Sequence, residues 1–246
     1  RYLVTGIFDT GFPEFDAAYH SGYDNDFVRI CGRDSWGLAC SLPFVAGEFR
    51  WTGFDYLGES PGWPEKAFPG GVLDTCGFPK DLFYFYQSQW TAAPVLHVFP
   101  HWTWPGREGM GIPVWCYTNC DAVELFLNGA SLGKQARRNQ PNLCWHVPYT
   151  PGTLHAHGFI GNQRVCRQII RAAGPVAGLR VDCDREALQP DGHDVAHLHI
   201  RFVDADGVLV PGAANPLSVE ISGSGRLLGM DNGDTLDHTC YQANSR

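Results

Sequence analysis

FVAGEFRWTGFDYLGES, residues 44–60, is the stretch on which the fold turns. Its first part, 44–51, reads as a buried strand. A polar and aromatic segment follows at once and gathers Trp51, Asp55, Tyr56 and Glu59 within a few positions. In a (β/α)8 barrel, functional groups sit where strands end and the βα loops begin, and this strand and loop fit that place. The cluster suits a polyhydroxylated ligand. An aromatic face packs against C–H groups, and carboxylates accept from hydroxyls. A Trp buried in an ordinary core beside surface carboxylates also explains the pattern.

Downstream, residues 93–172 change to short runs rich in Val, Trp, Tyr and Phe, separated by turns. Strands are expected at 113–118 and 122–127, then at 131–134 after Asn128-Gly129. Asn-Gly between two such runs is a strong hairpin signal, because a type I′ turn needs positive φ at both central positions. Further strands are expected at 143–147, 152–160 and 164–170, a spacing that implies a β-sandwich. Ala173-Gly174-Pro175 reads as a boundary. Beyond it, 179–184 and 194–203 alternate, with Leu198, Ile200 and Phe202 on one face and His197, His199 and Arg201 on the other. Residues 217–222 and 226–230 complete the expected strands of a second, immunoglobulin-like sandwich. No closing strand is evident after Asp231-Asn232-Gly233-Asp234, so this last domain is expected to be truncated. Upstream of the barrel stretch, one helix is expected near 34–41.

Across the 246 residues, 44% are hydrophobic and 18% charged, a globular balance. The formal net charge of −8 excludes a basic nucleic-acid footprint. No apolar run reaches the roughly 18–20 residues of a membrane span. The chain is expected to be soluble, with cytoplasm and periplasm both open as compartments. Residue 1 lies in an apolar stretch (Tyr2, Leu3, Val4) with no Met, so the chain is expected to begin inside a longer one. The 9 cysteines are irregularly spaced and include no CxxC, which argues for free thiols over a zinc site or a disulfide framework. His97 and His101, near Trp102 and Trp104, read as an aromatic hinge rather than metal ligands.

The 44–60 stretch resembles the last barrel strand of family 2 glycoside hydrolases of the β-galactosidase type, where a Gly-Glu-Phe-x-Trp-Thr-Gly-Phe-Asp-Tyr-x-Gly-Glu string is typical. The resemblance continues through GVLDTCGFPKD at 71–81, YFYQSQW at 84–90, HVFPHWTWPG at 97–106, IPVWCYTNCDAVELFLNGASLG at 112–133 and GRLLGMDNGD at 225–234. It implies a mixed architecture: the end of a (β/α)8 barrel and a linker over 1–92, a β-sandwich over 93–172, and an incomplete immunoglobulin-like domain over 173–246. It also implies retaining hydrolysis of terminal β-galactosides by two glutamates about 5–5.5 Å apart.

Both catalytic glutamates of the family lie on earlier barrel strands, so they are expected upstream of residue 1. Glu14, within FPEF at 12–15, does not match the nucleophile segment, and SGYDN at 21–25 resembles sequence that follows it. By resemblance, Trp51 is a sugar-stacking residue, and Asp55 is either a hydroxyl contact or a group that orders the loop. Glu48 and Glu59 are expected to be structural. The family often uses Mg²⁺ or Na⁺, but no residue here is assigned as a ligand. The expected partners are a β-galactoside substrate and the N-terminal part of the same enzyme, with a homo-oligomer left open and neither nucleic acid nor membrane involved. By itself the chain is expected to be inactive. The alternative is a non-catalytic carbohydrate-binding or scaffold module, which would have no reason to keep residues 44–59.

Overall fold

The computed structural model describes residues 32–246 except 61, 139 and 141. The segments around Glu14 and Ser21–Asn25 lie outside these residues. Helix α1 (Gly32–Ser41) covers the span expected near 34–41. It is followed by the short pair β1 (Tyr56–Leu57) and β2 (Ala67–Phe68), then by α2 (Asp81–Trp90). The strands β3 (Leu96–Phe99), β4 (Gly111–Thr118), β5 (Ala122–Leu127), β6 (Ala130–Ala136), β7 (Leu143–Pro148), β8 (Thr153–Ile160) and β9 (Gln163–Arg171) come next. The final pair is β10 (Gly178–Cys183) with β11 (Leu198–Val203).

Strands β3–β9 form two antiparallel sheets with orders β3-β4-β7 and β6-β5-β8-β9. Alternation along the strands aims Val114, Cys116, Val123, Leu125, Leu154 and Ala156 into one continuous core. At the β5–β6 turn, Asn128 and Gly129 have φ of 50° and 86°, as the I′ reading requires. The Asn128 Oδ1 also accepts from Thr153 N at 2.8 Å, which joins the turn to β8.

Strand β4 is buried along nearly its whole length. Its second face meets α2: the rings of Phe85 and Tyr117 lie edge to face at 5.5 Å, and Phe99 packs on Tyr117 at 4.8 Å. The helix therefore covers the outer face of the smaller sheet and makes a third layer. The sequence reading did not place a helix over 81–90. YFYQSQW has strand-like aromatic composition, and the packing of Leu82, Phe85 and Tyr86 onto the sheet selects the helical periodicity.

Two expectations differ from the structure. Residues 44–51 form no strand, and Phe44 and Phe49 are 82% and 104% exposed. A barrel strand exists only when neighbours take up its N–H and C=O groups, and among the described residues none pairs with this run. The described residues accordingly contain no closed barrel. Residues 217–222 and 226–230 likewise form no strands. Residues 217–219 instead make a short antiparallel bridge with 244–246, where Leu217 and Arg246 exchange backbone bonds at 2.6 and 2.8 Å and Val219 N donates to Asn244 O at 2.8 Å, and Met230 N donates to Tyr241 O at 2.7 Å. No helix among the described residues is long and apolar enough to cross a membrane.

Candidate functional site

The loop that follows residue 50 is fastened by backbone bonds to the GVLDTCGFPKD motif. Val72 N donates to Thr52 O at 3.2 Å, Leu73 N to Gly53 O at 3.0 Å, and Asp55 N to Leu73 O at 2.9 Å. The two segments pass so closely that Gly71 is required: a Cβ there would lie 2.2 Å from both Asp55 N and the Phe54 carbonyl carbon. The motif then turns on Asp74, whose Oδ1 accepts from Cys76 N at 2.9 Å and Phe78 N at 2.8 Å. Lys80 N closes the turn onto Val72 O at 2.9 Å.

Asp55 lies beneath this loop and is only 4% exposed. Its Oδ1 receives Lys80 Nζ at 2.6 Å and Gly71 N at 2.8 Å, and Lys80 Nζ also reaches Pro69 O at 2.8 Å. Burial pushes the Asp55 carboxyl above the ordinary carboxylate range, while the Lys80 ammonium and the Gly71 N–H pull it back. Its Oδ2 is buried and has no hydrogen-bond partner among the described residues. In this arrangement Asp55 orders the loop. Lys80 had no assigned role in the sequence reading. The signal for it was a lysine directly after the apolar Phe78-Pro79, where a buried charge is kept only if paired.

Trp51 stands on the outer side of the same loop and is 62% exposed. Its indole meets the Tyr56 ring edge to face at 6.1 Å, and its Nε1 donates to Tyr56 Oη at 3.3 Å. Tyr56 Oη in turn donates to the Glu59 carboxylate, and Tyr56 packs on Phe68 at 5.4 Å. The indole is thus positioned from below by Tyr56 while much of its surface faces solvent. Glu48 lies apart from these groups and accepts from Ser35 Oγ at 2.5 Å. Trp51 and Asp55, the two residues singled out for substrate, therefore occupy opposite sides of one loop: one exposed, the other buried in an ion pair.

The loop is also tied to the last part of the chain. Thr75 Oγ1 donates to Asp231 Oδ2 at 2.7 Å, Lys66 N donates to Thr235 O at 3.0 Å, and a Cβ on Gly233 would lie 2.4 Å from Asp74 Oδ2. Two motifs quoted from distant parts of the sequence, 71–81 and 225–234, therefore meet under the Trp51 loop. His97 stacks on Tyr84 at 3.8 Å and pairs with Asp81 at 2.6 Å, and His101 stacks on Trp104 at 4.1 Å. Among the described residues no group of three His, Cys, Asp or Glu is placed to hold a metal ion.

Comparison with known proteins locates this arrangement. Residues 179–246 match the family model "Glycoside hydrolase family 2 C-terminal domain 5", and residues 109–166 match a domain of unknown function, DUF4982. A putative beta-glucuronidase of Formosa agariphila is 41% identical over 97% of the chain, which covers 24% of that protein. Beta-galactosidase BoGH2A of Bacteroides ovatus is 40% identical over 92% of the chain, covering 27% of the relative. The chain thus spans about a quarter of the length of these relatives. A crystal structure of a beta-glycosidase from Bacteroides vulgatus superposes with a TM-score of 0.90 at 42% identity, over 96% of the chain and 30% of that structure. The chain belongs to glycoside hydrolase family 2 and carries a C-terminal domain of that family.

Proposed function

We propose that the chain is part of a retaining β-glycosidase of the β-galactosidase type, to which it contributes Trp51 as a sugar-stacking surface. In this reading residues 1–92 end a (β/α)8 barrel, 93–172 are an accessory sandwich, and 173–246 are an incomplete immunoglobulin-like domain. The acid/base and nucleophile glutamates are supplied by polypeptide upstream. The open apolar face of 44–51 supports the barrel assignment, because a strand of that composition is stable only between neighbours. The open apolar side of β10–β11 supports an incomplete last domain in the same way.

The observation that carries the proposal is the indole of Trp51, 62% exposed and fixed by Tyr56 on a loop whose underside is the buried Asp55–Lys80 pair. Such a ring offers a rigid apolar surface to the C–H face of a pyranose. Asp55 acts through the loop, holding the indole in place. The names of the relatives divide between galactosidase and glucuronidase, so the test uses both sugars. In the intact enzyme Trp51→Ala is expected to lower kcat/KM by about ten- to a hundredfold on the preferred methyl β-galactoside or β-glucuronide. That corresponds to roughly 1.5–3 kcal/mol of lost ring burial. Hydrogen exchange at the Val72 and Leu73 amides should be unchanged. Full activity in the variant would remove Trp51 from the sugar site, and turnover of the glucuronide alone would replace the galactoside assignment.

A further inference from the structure

Two cysteines of the sandwich, 46 positions apart in the chain, bring their sulfurs together. Cys120 Sγ, in the turn between β4 and β5, lies 3.5 Å from Cys166 Sγ on β9, and both thiols are free. Cys120 is fully buried and held in place. Its N–H donates to Thr118 Oγ1 at 3.0 Å, its thiol reaches Val95 O at 3.8 Å, and Thr118 Oγ1 donates to the same carbonyl at 2.6 Å. Cys166 is only partly buried, so one member of the pair can be reached from solvent.

The sulfurs meet over Gly158, which stands opposite Cys166 in the β8–β9 register. A Cβ on Gly158 would lie 2.6 Å from Cys166 Sγ and 2.8 Å from Cys120 Sγ, so both thiols occupy the space that a side chain would fill. The backbone beside each is already fastened to β8: Asp121 N donates to Phe159 O at 2.8 Å, and β9 follows β8 along its length. A disulfide needs the sulfurs about 2 Å apart, and a turn about either Cα–Cβ bond moves a sulfur through the remaining gap. Burial, then the neighbouring Cys120, pushes the Cys166 thiol above its ordinary range. The same burial does not penalise a disulfide, which carries no charge.

We propose that Cys120 and Cys166 are a reversible thiol–disulfide site, closed by exchange with a low-molecular-weight disulfide into a crosslink that staples the sandwich. Cys166 loses its proton, and its sulfur attacks one sulfur of the reagent. The reagent's S–S bond breaks, and one half leaves as a thiolate. Cys120 then loses its proton and attacks the Cys166 sulfur, which expels the second half. Two cysteine thiols are oxidised, one reagent disulfide is reduced to two thiols, and the two cysteine protons end on them. The crosslink closes a loop that contains β5, β6, β7 and β8. It also fixes β9, an edge strand of its sheet, close to where that strand meets β3 of the other sheet. There Gln168 Oε1 accepts from Val98 N at 2.6 Å, and Gln168 Nε2 donates to Val98 O at 3.1 Å. A crosslink across so long a loop restricts the unfolded chain, so the sandwich resists opening more strongly in an oxidising compartment than in a reducing one.

The test treats the intact protein with oxidised glutathione at mildly alkaline pH, blocks the remaining thiols and maps disulfide-linked peptides by mass spectrometry. A peptide joining Cys120 to Cys166 is expected, and dithiothreitol should remove it. Hydrogen exchange at the β8 and β9 amides should be slower in the oxidised form than in the reduced form by about tenfold or more. Each variant is read as the difference between its own oxidised and reduced forms, so a general loss of stability cancels. Cys120→Ala and Cys166→Ser should each abolish both the crosslink and that difference. Cys116→Ala, which removes the fully buried thiol nearby on β4, should leave both intact. Glutathione that stays attached to Cys166 without closure, a crosslink made through Cys116, or no linked peptide at all overturns the proposal. Equal exchange in the two forms of the parent overturns it as well, because the crosslink would then staple nothing.

Discussion

The two sheets of β3–β9 form a sandwich, and it and the β10–β11 pair both carry apolar strand faces but pack them in opposite ways. In the sandwich, Ile112, Val114, Tyr117, Leu125 and Leu154 are fully buried, because a second sheet and α2 cover both sides of β4. In the last region the corresponding side chains stay open. Leu179, Val181 and Leu198, on one face of β10–β11, are 50%, 54% and 49% exposed. Polar bonds shape this region instead. Asp204 accepts from Gly174 N, Asp206 N and Val208 N at 2.8–2.9 Å, and those N–H groups hold its carboxyl below the usual range. Asp191 and Asp234 fold their own turns in the same way. Alternation says which face of a strand is apolar, and the presence of a covering layer decides whether that face stabilises anything.

The largest expected effect tests this contrast directly. Trp102 is fully buried and donates to Thr150 O at 2.9 Å, so Trp102→Ala should cost about 3–5 kcal/mol. Leu179→Ala should cost less than about 0.5 kcal/mol. Hydrogen exchange at the β4 and β10 amides of the intact protein reads both. A cost for Leu179→Ala close to that of Trp102→Ala would show that the β10–β11 face is covered by other polypeptide, and the contrast would vanish.

The next effect concerns the Asp55–Lys80 pair, which is buried like the sandwich core yet polar like the last region. Lys80→Met removes the ammonium and strands a buried carboxylate, at a cost of about 3 kcal/mol or more. Pairing it with Asp55→Asn should recover most of that loss. A single variant as stable as the parent would mean that the Trp51 loop is held without the ion pair.

The smallest effect sharpens the account of the sandwich. Burial pushes the His101 imidazole down from 6.5 to about 4, and its Nδ1 accepts from Thr103 N at 3.2 Å. The folded form therefore holds a neutral ring, while the unfolded chain takes up a proton below 6.5. Stability from this residue is complete above pH 6.5 and falls as pH drops toward about 4, by up to roughly 3 kcal/mol. Denaturant midpoints of the intact protein measured across that window should fall less in His101→Gln. An identical pH dependence in the variant would assign the acid sensitivity to other groups.

Much of the sandwich was legible from the residues alone. Runs rich in Val, Trp, Tyr and Phe between turns located each strand from β4 to β9 to within a few positions, and Asn128-Gly129 identified its turn, because both signals are local. The aromatic and acidic cluster at 51–59 and the family resemblance were equally local. Helix α2 was not legible, since its aromatic residues carry no strong helical preference and only their contact with β4 selects the helix. Residues 44–51 show the converse: their composition suits a strand, but a strand needs partners, and among the described residues none pairs with them.

The sequence by itself determined where chain direction, turn and apolar face change, because these depend on each residue and its near neighbours. Tertiary structure decided the rest. It brought Lys80 under Asp55, the 225–234 motif against Asp74 and Cys166 beside Cys120, contacts that join positions far apart in the chain. It also decided that Trp51 and Asp55, four residues apart on one loop, face solvent and interior respectively. Only the assembled layers establish which side of a loop is covered, and coverage separates the exposed indole of Trp51 from the buried carboxylate of Asp55.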